Sequence, residues 1–189
     1  MTPMNIDALP ASPWKNGGGL TRTIAVSPPG AGLDDFDWRV SIAEVASAAK
    51  FSLFPGVDRT ILLLDGAGMT LQTNDGVVPL TEPFVPYAFS GDDIVRYRLV
   101  NGSTHDFNVM TRRGRARAEV NLWRSESRHQ VTSDAAVFFC PRGAGLINGA
   151  ELHSGWALQL DRPASEINFV PQTLDALIIA VLIKTGEAP

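Results

Sequence analysis

Glycine and proline interrupt this chain so often that no long helix fits between them. The 17 glycines and 13 prolines are spread from end to end of the 189 residues, and each frees or fixes the backbone in a way that ends a regular segment. What remains is a set of short stretches bounded by turn residues, a pattern that suits strands. Residues 37–45 (DWRVSIAEV) show it best. Trp38, Val40 and Ile42 fall on one face and Arg39, Ser41 and Ala43 on the other, a period of two. Residues 60–64 (TILLL) are a continuous apolar run, read as a buried strand. Asp65-Gly66-Ala67-Gly68 turns the chain into a strand over 69–73, and Asn74-Asp75-Gly76 reads as a hairpin turn, because these residues tolerate positive φ. Further strands are expected over 94–100, 106–112, 135–139, 156–160 and 177–184. The last is rich in β-branched Ile178, Ile179, Val181 and Ile183. Many short strands at regular spacing make the chain all-β, a sandwich or a barrel.

An internal repeat is hinted at. Gly66-Ala67-Gly68 follows one apolar run and Gly143-Ala144-Gly145 follows another, each with a second strand behind it. Two copies of one β unit would give this pattern, with 119–131 (EVNLWRSESRHQV) as the polar bridge between them.

Several function classes are excluded or disfavoured. Cys140 is the single cysteine, so neither an intrachain disulfide nor a cysteine-based zinc site can form. It follows Val137, Phe138 and Phe139, the setting of a buried, inert thiol. His105, His129 and His153 each stand more than twenty residues apart, without the clustered pair that a histidine-based metal site uses. No metal and no cofactor is expected. There is no phosphate-cradling loop of the P-loop kind and no Gly-x-Ser-x-Gly nucleophile elbow. The net charge of −4 speaks against nucleic acid as a partner. The one basic run, Arg112, Arg113, Arg115 and Arg117, reads first as a solvated strand edge. The start lacks the features of a signal peptide, and the longest apolar run, 176–183, is too short to span a bilayer. A cytoplasmic location is the expectation, with no membrane partner.

Four motifs could carry chemistry, and each has a plainer alternative. Trp14-Lys15-Asn16-Gly17-Gly18-Gly19-Leu20-Thr21 exposes backbone amides without Cβ atoms, with Lys15 and Asn16 beside them. It suits an anion-binding nest, or equally a flexible linker. Residues 51–60 (FSLFPGVDRT) end in Asp58-Arg59 before a buried strand. Arg59 could offer its planar fork to a carboxylate or simply pair with Asp58. Arg39 and Ser41 either look into a cavity or face solvent. Asp106, Asn108 and Met110 share a face, where Asn108 could fix a polar ligand or pair across the sheet.

In this order, WKNGGGLT (14–21), DFDWRVSIA (35–43), FSLFPGVDR (51–59) and DFNVM (106–110) resemble the HutD/Ves family. The resemblance implies a bicupin, two cupin-like β-barrels or jelly rolls in one chain, without metal. The N-terminal barrel is expected over 1–120 and a smaller unit over 121–189. It further implies a link to histidine utilisation and a regulatory role, sensing an intermediate such as urocanate or formylglutamate. The expected ligand-binding set is Lys15, Asn16, Gly17, Gly18, Arg39, Ser41, Arg59 and Asn108, with no catalytic residue assigned. The expected partner is a small carboxylate, and a homodimer is left open. The alternative is a metal-independent enzyme acting on the same intermediates, with Asp58, Asp106 or Lys15 as the candidate acid or base.

Overall fold

A computed structural model describes residues 2–14 and 17–186. In chain order the strands are β1 (Met4–Asn5), β2 (Ala11–Pro13), β3 (Gly19–Ser27), β4 (Trp38–Val45), β5 (Ala49–Lys50), β6 (Val57–Gly66) and β7 (Met69–Thr73). Then follow β8 (Gly76–Leu80), β9 (Tyr87–Ser90), β10 (Arg96–Leu99), β11 (Thr104–Arg112), β12 (Ala116–Trp123) and β13 (Ser127–Gln130). The last six are β14 (Ala135–Arg142), β15 (Ala144–Ile147), β16 (Ala150–His153), β17 (Trp156–Asp161), β18 (Glu166–Pro171) and β19 (Leu177–Thr185). A single 3-10 turn, Ile6–Ala8, is the only helical element among the described residues, and no helix is long and apolar enough to cross a membrane. The chain is all-β, as its punctuation requires.

The chain divides into two compact units, Pro10–Arg113 and the described residues of 1–9 with 114–189. In the first, a six-stranded sheet of order β2-β3-β4-β11-β6-β9 and a four-stranded sheet of order β5-β10-β7-β8 enclose a common core. Val45, Ile61 and Leu63 from the larger sheet pack with Met69, Leu71, Leu80 and Tyr97 from the smaller. In the second, a sheet of order β1-β17-β14-β19-β12 and one of order β13-β18-β15-β16 enclose Trp123, Phe138, Cys140, Ile147, Phe169 and Ile178. None of the four sheets closes on itself, so each unit is a pair of open sheets where closed barrels were expected.

The two units share one topology. The order β9-β6-β11-β4 of the first recurs as β17-β14-β19-β12 in the second, and β8-β7-β10-β5 recurs as β16-β15-β18-β13. The two Gly-Ala-Gly tripeptides fall at comparable places, where β6 passes into β7 and where β14 passes into β15. Gly66 and Gly68 adopt positive φ of 82° and 78°. A Cβ on Gly68 would come within 2.2 Å of the Leu80 carbonyl oxygen, so the turn tolerates only glycine there.

Other sequence expectations are redrawn. Residues 119–131 are not a bridge: β12 pairs along its length with β19, and β13 pairs with β18. Pairing also assigns residues differently from a division at 120, because β12 and, through β1 on β17, the N-terminal residues join the second unit. The arginine run does not line one strand face. Gly114, at φ 76°, turns the chain between Arg113 and Arg115. Arg112 donates to the carbonyls of Phe36 and Asp34, and Arg113 pairs with Asp58 and Asp92.

Candidate functional site

The candidate site lies inside the first unit, on the inward face of its larger sheet. Three central strands set it by register. Across β4, β11 and β6, Arg39 lies opposite Met110 and Met110 opposite Arg59. Two residues along, Ser41 lies opposite Asn108 and Asn108 opposite Ile61. Two further, Ala43 lies opposite Asp106, and Asp106 opposite Leu63. Residues directly opposite share a face, so Arg39, Ser41, Arg59, Asn108 and Asp106 all point inward, in layers about 7 Å apart. The other face of the same strands carries Trp38, Val40, Leu62, Phe107 and Val109, which are also buried. Both faces therefore exclude water.

Neither arginine is neutralised by contact. Arg39 Nη2 donates to Thr23 Oγ1 at 2.7 Å and Nη1 to Ser41 Oγ at 3.3 Å. Arg59 Nη2 donates to Asn108 Oδ1 at 3.3 Å, while its Nε, buried, has no hydrogen-bond partner. Its guanidinium carbon lies 4.8 Å from the Phe51 ring centre, 4.9 Å from that of Phe89 and 5.7 Å from that of Phe54. Rings hold a cation by their electron-rich faces but do not cancel its charge. Among the described residues neither arginine makes an ion pair within 4.0 Å. Arg59 is only 6% exposed, and burial lowers its pKa to about 10, with Asp106 opposing that shift and Arg39 adding to it. Burial also lowers the pKa of Arg39. Arg39 is half-buried, so the cluster reaches toward solvent on that side.

Asp106 is the site's one acid. It is 2% exposed, and burial raises its pKa to about 7, against the opposing pull of Arg59 and His105. Among the described residues its Oδ2 has no hydrogen-bond partner, and neither does the hydroxyl of Tyr97, which reaches into the same core from the smaller sheet. Burial, then the Asp106 carboxylate, pushes the Tyr97 phenol up.

The structure brings Arg39, Ser41, Arg59 and Asn108 together. Asp58, the expected internal partner of Arg59, has the opposite parity and pairs instead with Arg113 at 2.5 Å. Lys15 and Asn16 lie outside the described residues. The glycine loop is remote from the arginines: Gly19 pairs with Val45, six residues along β4 from Arg39 and hence about 20 Å away. It borders the Asp106 end, where Trp14 donates its indole N–H to Thr21 Oγ1 at 2.7 Å, and Thr21 lies opposite Ala43. Gly17 donates its amide to the Trp14 carbonyl at 3.0 Å, and the Gly18 carbonyl accepts from Ala46. The Gly17 amide thus closes a turn rather than opening a nest. Sequence reasoning left out Thr23, Phe89 and Tyr97. Only the alternation of Thr21 and Thr23 on one face hinted at the first.

The second unit has no such interior. Counted from the Gly-Ala-Gly turns, Ala136 stands where Arg59 does. Across the sheet, Ala180 stands where Asn108 does, and Ile178, two residues back, where Asp106 does. All three are buried in an apolar core. The histidines lie outside the cluster. His105 contacts Asp65 at 2.6 Å, His153 lies 3.5 Å from Glu151, and His129 stacks on Trp123 at 3.9 Å. Among the described residues no group of three or more histidine, cysteine or acidic side chains is placed to hold a metal ion.

Comparison with known proteins follows the same lines. A family model described as HutD matches residues 7–175. Protein Ves of Citrobacter koseri is 40% identical over 119 residues, which cover 62% of this chain and 61% of that protein. The match thus spans less than two thirds of the length of that relative. The structure of HutD from Pseudomonas fluorescens SBW25 superposes with a TM-score of 0.87 at 29% identity, covering 97% of this chain and 98% of that one. A cupin 2 conserved barrel domain protein from Leptotrichia buccalis is 10% identical with a TM-score of 0.59, covering 97% and 96%, a likeness of fold alone.

Proposed function

The chain belongs to the HutD family, and on that premise we propose that it is a metal-free binding protein for a small carboxylate, regulating histidine utilisation in the cytoplasm by sensing an intermediate. The shared strand orders support reading the two units as the halves of a bicupin. The polar interior of the first supports reading it as the half that binds.

One observation carries the proposal. Two guanidinium groups, Arg59 buried and Arg39 half-buried, make no ion pair among the described residues, and burial raises the pKa of the acid near them, Asp106, to about 7. An unpaired buried charge is costly. An interior that keeps Arg59 so, with Arg39 at its edge, is balanced when an anion arrives, and a carboxylate matches the guanidinium fork. Ser41, Asn108 and Thr23 hold the forks in place. Urocanate and formylglutamate, the intermediates that the family resemblance suggests, both meet this description.

Calorimetric titration with urocanate, N-formyl-L-glutamate, histidine and glutamate tests the reading. One of the first two binds the wild type. Arg59→Ala weakens that binding by about 2–5 kcal/mol, the scale for truncating one partner of a buried charge pair. Arg59→Lys restores it only in part, because lysine lacks the fork. Unchanged affinity in a folded Arg59→Ala variant contradicts the proposal.

A metal-independent enzyme is the second reading, and Asp106 favours it. A buried carboxyl with a pKa of about 7 is poised as a general base. Turnover of any of the four compounds that disappears in Asp106→Asn would establish it.

A further inference from the structure

Among the described residues, four buried polar atoms of the first unit lack hydrogen-bond partners: Arg22 Nε, opposite Ile42 on the outer face, and, in the interior, Arg59 Nε, Asp106 Oδ2 and the Tyr97 hydroxyl. Buried polar atoms are almost always paired, and the three interior ones come from different strands, β6, β11 and β10. They form two groups. The cationic group faces the Ser41–Asn108 layer, since both guanidiniums lean along their strands to donate to Ser41 and Asn108. The second group, Asp106 with Tyr97, lies one layer further along, about 7 Å on.

We infer that the ligand of this site is an acid carrying an N–H or O–H donor a few bonds from its carboxylate, and that Asp106, with Tyr97, reads that donor. The inference rests on the proposed carboxylate site and narrows its ligand class. The cationic group lacks an anion and Asp106 lacks a donor, so one molecule bearing both satisfies both. A diacid without an N–H or O–H fits badly, because only a second carboxylate could then reach the Asp106 carboxylate, raising the energy of both. A monoacid with an apolar tail leaves Asp106 Oδ2 orphaned, and a site built around a hydrogen bond rejects the ligand that cannot make it. Tyr97 can donate to the ligand or to Asp106, because a hydroxyl both gives and accepts. The second unit, with alanine and isoleucine at the equivalent positions, has neither group.

Matched pairs of probes test this by calorimetry on the full-length protein. The first pair is urocanate and 3-(2-furyl)acrylate, which replaces the imidazole with a ring lacking N–H. The second is N-formyl-L-glutamate and its N-methyl derivative. In at least one pair the donor-bearing member binds tenfold or more tightly than its donorless twin. Asp106→Leu, which keeps the volume and removes the acceptor, reduces that preference to within about twofold, read as the ratio within each pair because loss of the carboxylate beside Arg59 shifts the affinity of both members. Tyr97→Phe gives a smaller loss of preference. If both members of each pair bind the wild type equally, the inference is overturned and the carboxylate site stands. If neither member of either pair binds, the inference and the carboxylate reading fall together. The comparison in the wild type needs no variant to fold.

Discussion

Arg59 and Asp106 project from adjacent strands into one interior and shift each other's ionisation, yet no ion pair joins them. Each remains a charge, or a near-charge, held out of water. That relationship is costly to the empty fold and useful to a bound one, and it generates the predictions below.

The empty protein loses stability as pH rises through the acid range. Asp106 titrates from 3.8 in the unfolded chain to about 7 in the folded one. Between those values the folded chain holds a proton that the unfolded chain has released, so stability falls with rising pH and levels off above about 7. Arg59, His105 and Tyr97 are the charged or titratable groups acting on or with it. The full penalty is on the order of 4 kcal/mol. Urea denaturation of wild type and Asp106→Asn from pH 4 to 8 measures it: the wild type declines relative to the variant across that window. Parallel curves would mean that Asp106 is not buried as described.

Arg59→Met separates stability from binding. Methionine keeps the apolar contacts with Phe51, Phe54 and Phe89 and removes a buried charge. Replacing a whole buried ion pair with apolar groups is often neutral or stabilising by about 1–4 kcal/mol, and Arg59 has no ion-paired acid among the described residues for the change to strand. The expected outcome is an unchanged or higher Tm with carboxylate binding lost. A large fall in Tm would show that the arginine is structural.

The glycine triplet is uneven. A Cβ on Gly19 would come within 2.2 Å of the Glu44 carbonyl oxygen, which belongs to paired backbone and cannot move freely. Gly17 has φ 68° but open space around it. Gly17→Ala therefore costs about 1–2 kcal/mol, the left-handed penalty, and Gly19→Ala costs more. Thermal unfolding of the two variants gives this order, and the reverse order would refute it.

Parity along a strand was legible in the sequence, and register between strands was not. The alternation of 37–45 paired Arg39 with Ser41, and that of 106–110 paired Asp106 with Asn108. Neither pattern says that Met110 lies between the two arginines, which depends on how β4, β11 and β6 align. The same gap left Asp58 as a rival partner for Arg59, although its parity turns it toward Arg113. Strands of two to four residues, such as β5 and β13, carry too few positions to show a period. The polar residues of β13 made 119–131 look like a bridge. The topological repeat was visible only as two tripeptides, because Arg59, Asn108 and Asp106 share no chemistry with Ala136, Ala180 and Ile178 at the matching places.

Cys140 is silent in the native protein. Burial raises its thiol to about 11, and its Sγ lies 3.2 Å from the Arg142 carbonyl oxygen. A thiol reagent at pH 8 leaves it unmodified until denaturant is added. Rapid labelling of the native chain would place Cys140 outside the core.

The central claim is that Arg59 meets a carboxylate inside the first unit, and the Nε–Hε resonance of Arg59 reports on that contact directly. Assigned by comparison with Arg59→Lys in nitrogen-15 spectra, it is followed through titration with urocanate and with N-formyl-L-glutamate. A downfield proton shift that saturates at the calorimetric affinity of one of them is the result this account predicts. Saturable binding that leaves the resonance unmoved would place the ligand elsewhere and contradict it.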